Sequence, residues 1–559
     1  MPPSPASLDA RRLAGALHLT TTFADLLHRR GFEDDDRTRT FLDPKLAHLT
    51  SPANMADRGA AIDRIVRGIR HHERIVIFGD YDCDGITSVT ILAEVVRALG
   101  GDVLPMVACR FQGGYGLSDA AADRVSEVGP CLLVTCDCGS SDHERIERLK
   151  RQGVDAVVID HHLVPSEPLP AVAFLNPQRP DCGFPYKHLA SCGLALGLAA
   201  GLRSVLSPSM DMRPWLDLVA IGTVADVVPL DGDNRALVRA GMRVLEQRQR
   251  VGLRALVELA RVPLANVTSE TISFDIAPRI NGPGRLGSPQ DALDLLLATD
   301  PVHARGLAAK VEAARTERRR IQDQILTEAL QDIEEHGWGD VGGIVVARRS
   351  WHPGVVGIVA SQLVEQFGRP AVVIGFDGDI GRGSARGPGG VSVHGLLCES
   401  RDAPVAFGGH HAAAGITIAE SAIPRFRELF MEAATKAMPS GVVRALCEAD
   451  VLLDPEDRAI DVVNDLAWLQ PCGISNELPV IEVAGTQVVR SMEVRGGHLQ
   501  VQLALASGSV LYGFGPKMGS LARQLRAGMK VRAAGTLRHD SFRGGDAVGF
   551  GLSTLEIES

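Results

Sequence analysis

Short apolar runs alternate with helix-like segments between about residues 55 and 230. The clearest runs are bounded by Gly or Asp and cover residues 75–78, 103–107, 132–135 and 156–159. Between them, segments 88–99 and 142–152 repeat apolar residues every three or four positions, the spacing of one helix face. This alternation predicts a parallel sheet with crossover helices, so we expect a doubly wound α/β domain in the first half of the chain.

Residues 301–335 carry a longer helical pattern. Their apolar residues fall on one stripe, and Gly337 and Gly339 follow as stop signals. We therefore predict one long connecting helix. The arginines at 315 and 318–320 spread over several of its faces, which favours a solvated connector over a phosphate-binding track.

The remainder of the chain predicts two further units. Apolar runs at 344–347 and 371–374 flank a helical segment at 355–366, which indicates a second α/β unit. Beyond it, residues 445–484 hold nine acids and one base, whereas 485–559 hold nine bases and five acids. Short alternating segments with Gly-rich turns in this last, mildly basic region predict a small β-barrel.

These patterns define the expected fold class: two α/β domains joined by a long helix, plus a small C-terminal β-barrel. The expected parts of the chain are a small helical cap segment at 1–54, a first α/β domain at 55–300, the connecting helix at 301–340, a second α/β domain at 341–444 and the barrel at 445–559.

Composition supports a multidomain globular protein. The 559 residues are 45% hydrophobic and 23% charged, and at roughly 150 residues per domain they allow three or four domains. Lys and Arg number 58 against 68 Asp and Glu, a net charge of -10. Such a balance excludes nucleic-acid binding by bulk charge, so a nucleic-acid partner would need a local basic track.

Cysteine usage and hydropathy exclude further classes of protein. The ten cysteines include no CxxC pair, which argues against a disulfide framework or a zinc ribbon. The sequence shows no signal-peptide pattern at its start and no apolar stretch of 18 residues. We therefore expect a soluble, cytoplasmic protein without a membrane association.

Acidic residues and histidines follow four of the apolar runs. Asp80, Asp82 and Asp84 follow the first run, Asp137 the third, Asp160, His161 and His162 the fourth, and Asp226 the run at 218–224. Because ligands bind along the carboxyl edge of parallel strands, we expect these groups to converge there. Clustered carboxylates repel unless cations neutralise them, and oxygen ligands with imidazole suit Mn²⁺ or Mg²⁺ better than structural zinc.

A carboxylate that bridges two such ions would set them about 3.5 to 4 Å apart, an arrangement suited to phosphoester hydrolysis. The cysteines at 136 and 138 flank Asp137. Side chains at alternate strand positions point away from the residue between them, so we assign both cysteines to the core.

Four motifs together resemble the signatures of the DHH phosphoesterase superfamily. They are GDYDCDG at 79–85, VTCDCG at 134–139, VVIDHH at 157–162 and IGTVADVVPL at 221–230. Further segments are similar to the RecJ branch of that superfamily: RFQGGYGLS at 110–118, APRINGPGR at 277–285, WHPGVVGIVAS at 351–361, GSARG at 383–387 and FGGHHAAAG at 407–415. The resemblance covers residues 55–559 and implies a DHH domain, a DHH-associated substrate-binding domain and an OB-like nucleic-acid-binding domain.

The resemblance also implies residue roles. The implied metal ligands are Asp82, Asp84, Asp137, His161 and Asp226, with Asp137 as the bridge between two Mn²⁺ or Mg²⁺ ions. Asp80 and Asp160 are implied as additional acids of the catalytic site, and His162 as the group that contacts the scissile phosphate or positions the attacking water.

Further positions are implied to bind the substrate. Arg110, Ser384 and Arg386 match family positions that contact a 5'-phosphate, a role suited to arginine forks. Arg279, Asn281, Arg285 and His410 lie in motifs that line the substrate path. Tyr115 either stacks on a base or packs within its loop.

The function implied is a metal-dependent 5'→3' exonuclease that hydrolyses single-stranded DNA in recombination and repair. Its expected partners are single-stranded DNA with a 5' end, a single-strand-binding protein and a helicase. Two alternatives stay open: a DHH phosphodiesterase of short oligoribonucleotides or cyclic dinucleotides, and a non-catalytic RecJ-like DNA-binding scaffold. The barrel after the second α/β unit favours a longer polymer over the short substrates, and the full ligand set disfavours the scaffold.

Overall fold

The computed structural model describes residues 3–438, 448–540 and 542–558. The expected boundary at 444/445 lies outside these residues. The chain begins with three short helices, α1 (Leu8–Leu17), α2 (Thr21–Arg29) and α3 (Asp36–Leu42). Ser7 and Asp35 cap the first and third of these by accepting backbone N–H groups, as is typical of helix starts.

The first α/β domain follows. Its elements are α4 (Arg58–Arg70), β1 (Arg74–Gly79), α5 (Cys83–Ala98), β2 (Asp102–Val107), α6 (Asp119–Ser126), β3 (Leu132–Cys136), α7 (His143–Arg151), β4 (Asp155–Ile159), β5 (Ala173–Leu175), α8 (Ser191–Leu206), α9 (Leu216–Ala225), α10 (Gly232–Glu246), α11 (Val251–Ala260), α12 (Ala277–Leu286) and α13 (Gln290–Leu297). The strands form one parallel sheet in the order β2-β1-β3-β4-β5. This confirms the predicted doubly wound domain.

One element of this domain differs from expectation. The run at 218–224 is not a strand, because it belongs to helix α9, and Asp226 therefore follows the end of a helix. Every residue from Leu216 to Val224 is buried. A helix enclosed on all sides shows no polar face, so periodicity cannot distinguish it from a buried strand.

The connecting helix α14 (Pro301–Glu335) has the predicted bounds, and Gly337 after it has a φ of 67°. Asp300 caps its start by accepting the His303 N–H at 2.6 Å. Leu307 and Val311 lie in the core of the first domain, whereas Ile325 and Ile333 lie in a core of the second. The helix is thus a packed part of both domains and not only a solvated connector.

The second α/β domain contains β6 (Ile344–Arg348), α15 (Val356–Phe367), β7 (Ala371–Asp377), β8 (Ile380–Arg386), α16 (Val393–Glu399), β9 (Ala406–Gly409), β10 (Ala413–Ala419) and α17 (Ile423–Ala437). Its sheet has the order β6-β7-β8-β10-β9. Only β6 and β7 pair in parallel, and the other pairs are antiparallel.

The C-terminal region is a closed barrel, as predicted. Its elements are β11 (Val451–Leu452), α18 (Ala459–Leu466), β12 (Ile481–Val494), β13 (His498–Ala504), β14 (Val510–Gly515), β15 (Lys530–His539) and β16 (Val548–Ile557). The ladder β12-β13-β14-β16-β15 closes because β12 also pairs with β15. No helix within the described ranges is long and apolar enough to cross a bilayer.

The N-terminal helices pack on this distant barrel. Phe23 and Leu27 of α2 share one hydrophobic core with Val451 and Phe550. Arg235 of α10 ties the barrel to the first domain, since its buried guanidinium donates to the carbonyls of Phe41, Trp468 and Leu469 at 2.8 Å each.

Candidate metal centre and substrate cleft

The loop after β1 brings three aspartates to the carboxyl edge of the sheet. Asp82 caps α5, with Oδ1 accepting the N–H groups of Asp84 and Gly85 at 3.1 and 3.2 Å. A Cβ at Gly85 would lie 2.5 Å from the Asp80 carbonyl oxygen, so only glycine fits this close approach. The GDYDCDG motif is therefore a strand-to-helix turn that presents carboxylates at one point.

Helix α8 holds two of the carboxylates. The carboxylate of Asp84 accepts the N–H groups of Ser191 and Cys192 at 2.7 and 2.9 Å. The Ser191 hydroxyl donates to Asp137 Oδ1 at 3.2 Å. Asp137 has a φ of 62°, which turns the chain sharply out of β3. Cys136 and Cys138 beside it are fully buried, in agreement with the prediction.

His161 lies at the centre of the acidic cluster. Its Nε2 atom is 3.2 Å from Asp137 Oδ1, 3.4 Å from Asp226 Oδ2 and 4.0 Å from Asp84 Oδ2. The same Nε2 atom is buried and has no hydrogen-bond partner. A buried nitrogen without a partner costs free energy unless a ligand occupies it, so this cluster fits a divalent cation held by carboxylate oxygens and imidazole.

Burial and mutual repulsion set the charge state of this cluster. Burial, followed by the charges of neighbouring aspartates, raises the pKa of Asp80 and Asp137 well above the usual range. Burial also raises the pKa of Asp84, and burial with the charges of Asp84 and Asp82 raises that of Asp226 to about 9. A cation is needed to keep so many buried carboxylates ionised near neutral pH.

His162 belongs to a separate hydrogen-bonded set beside the metal ligands. Its Nδ1 atom donates to Asp160 Oδ1 at 2.7 Å. Burial lowers the pKa of His162, but the hydrogen bond and charge of Asp160 outweigh it and raise that pKa to about 9. Burial likewise opposes ionisation of Asp160, yet His162 and Ser140 bring its pKa down to about 2. His162 is therefore a cation at neutral pH.

Tyr115 joins this set through its hydroxyl group. That hydroxyl donates to the Asp137 carbonyl at 2.9 Å, and its oxygen lies 3.0 Å from His162 Nδ1. Gly116 donates to Asp80 Oδ1 at 3.1 Å, which fixes the loop next to the cluster. Through this contact Tyr115 helps to orient the His162 ring. The motif alone did not indicate that role.

A cleft of about 1280 Å³ lies between the two α/β domains, beside the acidic cluster. Five of the predicted substrate residues line it: Arg110, Tyr115, Arg285, Ser384 and Arg386. Arg386 donates to the Ser384 hydroxyl at 2.6 Å, and Arg110 to the Tyr81 hydroxyl at 3.1 Å. Burial, followed by the charges of Arg110 and Arg318, lowers the pKa of Arg285 to about 10.

These guanidinium groups are close enough to repel one another, and no salt bridge to a carboxylate is found for Arg110, Arg285 or Arg386 among the residues described. Asp80 and Asp82 attract Arg110 and Arg285 only from beyond salt-bridge distance. Arginines without a direct carboxylate partner in a cleft favour the binding of a phosphate group.

The other three predicted substrate residues are placed differently. Arg279 is buried and pairs with Glu312, with 2.6 Å between Nε and Oε2, and it also donates to the Asp275 carbonyl. Asn281 lies on the same helix, and its Oδ1 atom is buried without a partner. His410 is exposed in the turn between β9 and β10 and is not among the residues that line the cleft.

Most residues of the cleft wall were not predicted from the sequence, and two of them are in contact across it. Phe111 and His352 both line it, and their rings are in contact. Phe111 lies in RFQGGYGLS and His352 in WHPGVVGIVAS. In both motifs the charged residues and glycines give the stronger sequence signal.

The fold and the site together define a DHH phosphoesterase. The model of the DHH family N-terminal domain matches residues 74–223, that of the DHHA1 domain matches residues 340–436, and that of the RecJ OB domain matches residues 449–553. The metal-ligand candidates up to His161 fall inside the first match, whereas Asp226 follows it directly.

Relatives that match most of this chain identify its branch of the DHH superfamily. The single-stranded-DNA-specific exonuclease RecJ of Bacillus subtilis is 34% identical over 94% of this chain and 67% of its own length. The RecJ of Dickeya dadantii is 32% identical over 96% of each chain. The crystal structure of RecJ from Thermus thermophilus in complex with Mn²⁺ has a TM-score of 0.83, with 29% identity over 100% of this chain and 79% of that one. The chain belongs to the RecJ family.

Proposed function

We propose that this protein is a divalent-metal-dependent exonuclease that hydrolyses single-stranded DNA from its 5' end and acts in recombination and repair. The observation that carries the proposal is the unpartnered Nε2 atom of His161 in a carboxylate cluster, next to a cleft lined by arginines that have no direct carboxylate partner. The relatives named above are single-stranded-DNA-specific exonucleases by name, and this chain contains the DHH, DHHA1 and RecJ OB domains in that order.

Three overlapping groups of possible ligand atoms support a metal site, with the atoms of each group within 4.8 Å of one another. Asp80, Asp82 and Asp137 form one group, Asp84, His161 and Asp226 a second, and Asp137, His161 and His162 a third. The first two share no residue, so together they could hold two ions. Asp137 also lies 3.2 Å from His161, between the groups. Bound Mn²⁺ or Mg²⁺ would supply water activation and charge neutralisation at the scissile phosphate.

His162 supplies the proton chemistry that the chain itself can provide. Asp160 and Tyr115 fix its ring, and Asp160 keeps it protonated at neutral pH. A protonated imidazole next to the ligands donates a hydrogen bond to a phosphate oxygen and stabilises the negative charge that develops there. The side chain is 39% exposed, so a phosphate can reach it.

The arginines of the cleft account for selection of a strand end. A terminal 5'-phosphate has an extra negative charge and free oxygens compared with an internal phosphodiester. Arg386 with Ser384 on one domain and Arg110 with Arg285 on the other face the cleft from both sides. A phosphate held by both pairs would orient the strand with its 5' end in the cleft.

The barrel offers a second surface for the strand. A pocket of about 570 Å³ on it is lined by Tyr512, Phe514, Phe542 and three arginines, Arg490, Arg538 and Arg543. Aromatic side chains among positive charges are typical of surfaces that bind single strands. This barrel supports a polymer substrate over short oligonucleotides or cyclic dinucleotides, and a single-strand-binding protein and a helicase are its proposed protein partners.

A digestion assay tests the proposal. Labelled oligonucleotides with a 5'-phosphate, a 5'-hydroxyl or a blocked 5' end, and the same sequence as RNA, are incubated with Mn²⁺ or Mg²⁺. We expect stepwise loss from the 5'-phosphorylated DNA, and none in the presence of a chelator. Digestion from the 3' end only, or cleavage limited to dinucleotides, would contradict the proposal, and binding without any hydrolysis would indicate a scaffold.

A further inference from the structure

Phe111 and His352 form an aromatic pair that spans the cleft. Their ring centroids are 5.5 Å apart, with an angle of 73° between the planes, an edge-to-face contact. Phe111 lies in the loop between β2 and α6 of the first domain, whereas His352 lies between β6 and α15 of the second. The pair therefore connects the two walls of the cleft at its lining surface.

Phe111 differs from the other aromatic residues of the cleft. Trp351 and Phe376 are 1% and 7% exposed, and Phe407 is partly buried against the core of the second domain. The Arg110 guanidinium covers the ring of Tyr81, with its carbon 4.6 Å from the ring centroid. Tyr115 is 50% exposed, but its hydroxyl donates a hydrogen bond to the carbonyl of Asp137. Phe111 is 41% exposed and has no polar atom that a ligand could use.

The surroundings of Phe111 indicate what covers its free surface. Arg110 is its chain neighbour, and Ser384, Arg386 and Arg285 line the same cleft. A ligand that satisfies both features must combine a phosphate with a flat apolar group, as a nucleotide does. Stacking on one face of an aromatic ring needs a base that is not stacked on both sides within a duplex.

We propose that Phe111, held by His352, is the platform on which an unpaired base near the 5' end of the strand stacks. This inference rests on the proposed exonuclease function and adds a specificity-determining residue to it. It contributes to a preference for single strands, because a base inside a duplex is stacked on both faces and cannot lie flat on this ring without leaving its helix.

His352 is suited to fix the platform. Its Nδ1 atom accepts the Gly354 N–H at 3.1 Å, which sets the orientation of its ring. Burial, followed by the charge of Arg110, lowers the pKa of His352. A neutral imidazole packs against Phe111 without adding to the positive charge of the arginines nearby.

The test combines Phe111 variants with abasic substrates. Phe111→Ala removes the ring, Phe111→Leu keeps apolar volume without a π face, and Phe111→Tyr keeps the face. Single-turnover release of the first nucleotide is measured on 5'-phosphorylated DNA with an abasic residue at position one, two or three. Strand binding in a chelator is measured in parallel by fluorescence anisotropy.

We expect Phe111→Ala to lower kcat/KM on the intact strand by about 10- to 100-fold, with Phe111→Leu close to it and Phe111→Tyr close to wild type. On one of the three abasic strands, wild type and Phe111→Ala should become equal, since no base remains to stack. An equal loss by Phe111→Ala on all three abasic strands, with a lowered melting temperature, would show a packing role and overturn the proposal.

Unchanged kinetics of Phe111→Ala on the intact strand would overturn it too. These results are distinct from failure of the function itself, in which wild type would release no nucleotide from the intact strand.

Discussion

The guanidinium of Arg279, which is buried, and the half-buried carboxylate of Glu312 form an ion pair, with 2.6 Å between Nε and Oε2. This pair joins α12, which carries the motif residue Arg285, to the connecting helix α14. Arg279 was expected along the substrate path from its motif, whereas its position indicates that it holds the helix on which a cleft arginine lies.

We expect Arg279→Ala to lower the free energy of unfolding by about 1 to 3 kcal/mol, because Glu312 loses its 2.6 Å hydrogen bond from Arg279 and keeps the Arg315 guanidinium, 3.5 Å away. The preference for 5'-phosphorylated over 5'-hydroxyl DNA should stay unchanged. Urea unfolding and a comparison of the two substrates measure these effects. The control is Arg320→Ala, which removes an exposed pair with Glu317 on the same helix and should cost under about 1 kcal/mol. Loss of phosphate preference in a variant of normal stability would place Arg279 on the substrate.

Arg386→Gln tests recognition of the strand end. It removes a positive charge that no carboxylate balances, so we expect kcat/KM to fall about 10- to 100-fold on 5'-phosphorylated DNA and much less on 5'-hydroxyl DNA. Stability should be equal or higher, because repulsion with Arg110 decreases. Arg349→Gln is the control, since Arg349 is exposed and pairs with Asp379 and Glu420. An equal loss on both substrates would argue against a terminal phosphate as its ligand.

Asp137→Asn tests the metal centre. Because the amide cannot bridge cations, we expect hydrolysis to fall about a thousandfold or more in Mn²⁺ or Mg²⁺. In a chelator the variant should melt at a higher temperature than wild type, since a buried carboxylate with a raised pKa has been removed. The gain in melting temperature on addition of Mn²⁺ should be smaller than in wild type. Full activity in the variant would contradict the proposed site.

Stability of the metal-free protein should fall as the pH rises. The folded pKa values of Asp226 and His162 are both raised, to about 9. A group whose pKa is higher in the folded than in the unfolded state makes its full contribution to stability below its unfolded pKa. The contribution decreases as the pH rises from the unfolded to the folded pKa and is lost above the folded pKa. For Asp226 the decline therefore runs from about pH 4 to 9, and for His162 from about pH 6.5 to 9.

Thermal melts with chelator between pH 5 and 9 measure this decline, and Mn²⁺ should reduce it, because cations stabilise the ionised carboxylates. A melting temperature that rises over this range without metal would contradict the charge assignment. Asp160 has the opposite pH dependence, because folding lowers its pKa to about 2. Its contribution to stability is lost only as the pH falls from about 4 to 2.

The sequence allowed prediction of the sheets, the connecting helix and the convergence of the acids, because strand ends and helix stripes are local patterns. The position of Asp226 at a helix end was not predictable, since α9 is apolar on every face. The pairing of Arg279 with Glu312 depends on how α12 and α14 pack, and the contact between Tyr115 and His162 depends on how a loop folds over the edge of the sheet. Such contacts join residues far apart in the chain, and periodicity carries no information about them.

Phe23→Ala tests the shared core at the two ends of the chain. Phe23 is fully buried among barrel residues, so we expect a loss of about 3 to 5 kcal/mol in the free energy of unfolding. Hydrogen exchange should increase in the barrel strands as well as in α1 and α2. Leu8→Ala is the control, because Leu8 is 76% exposed. Exchange that increases only in the N-terminal helices would show that the barrel is stable without them.

That shared core has a consequence for synthesis on the ribosome. Helices α1 and α2 have their apolar faces completed by barrel strands that are translated several hundred residues later, with two α/β domains made in between. Residues around Phe23 therefore stay exposed to solvent and to chaperones until the barrel has been synthesised. Premature termination anywhere before the barrel would leave this early segment without its packing partner.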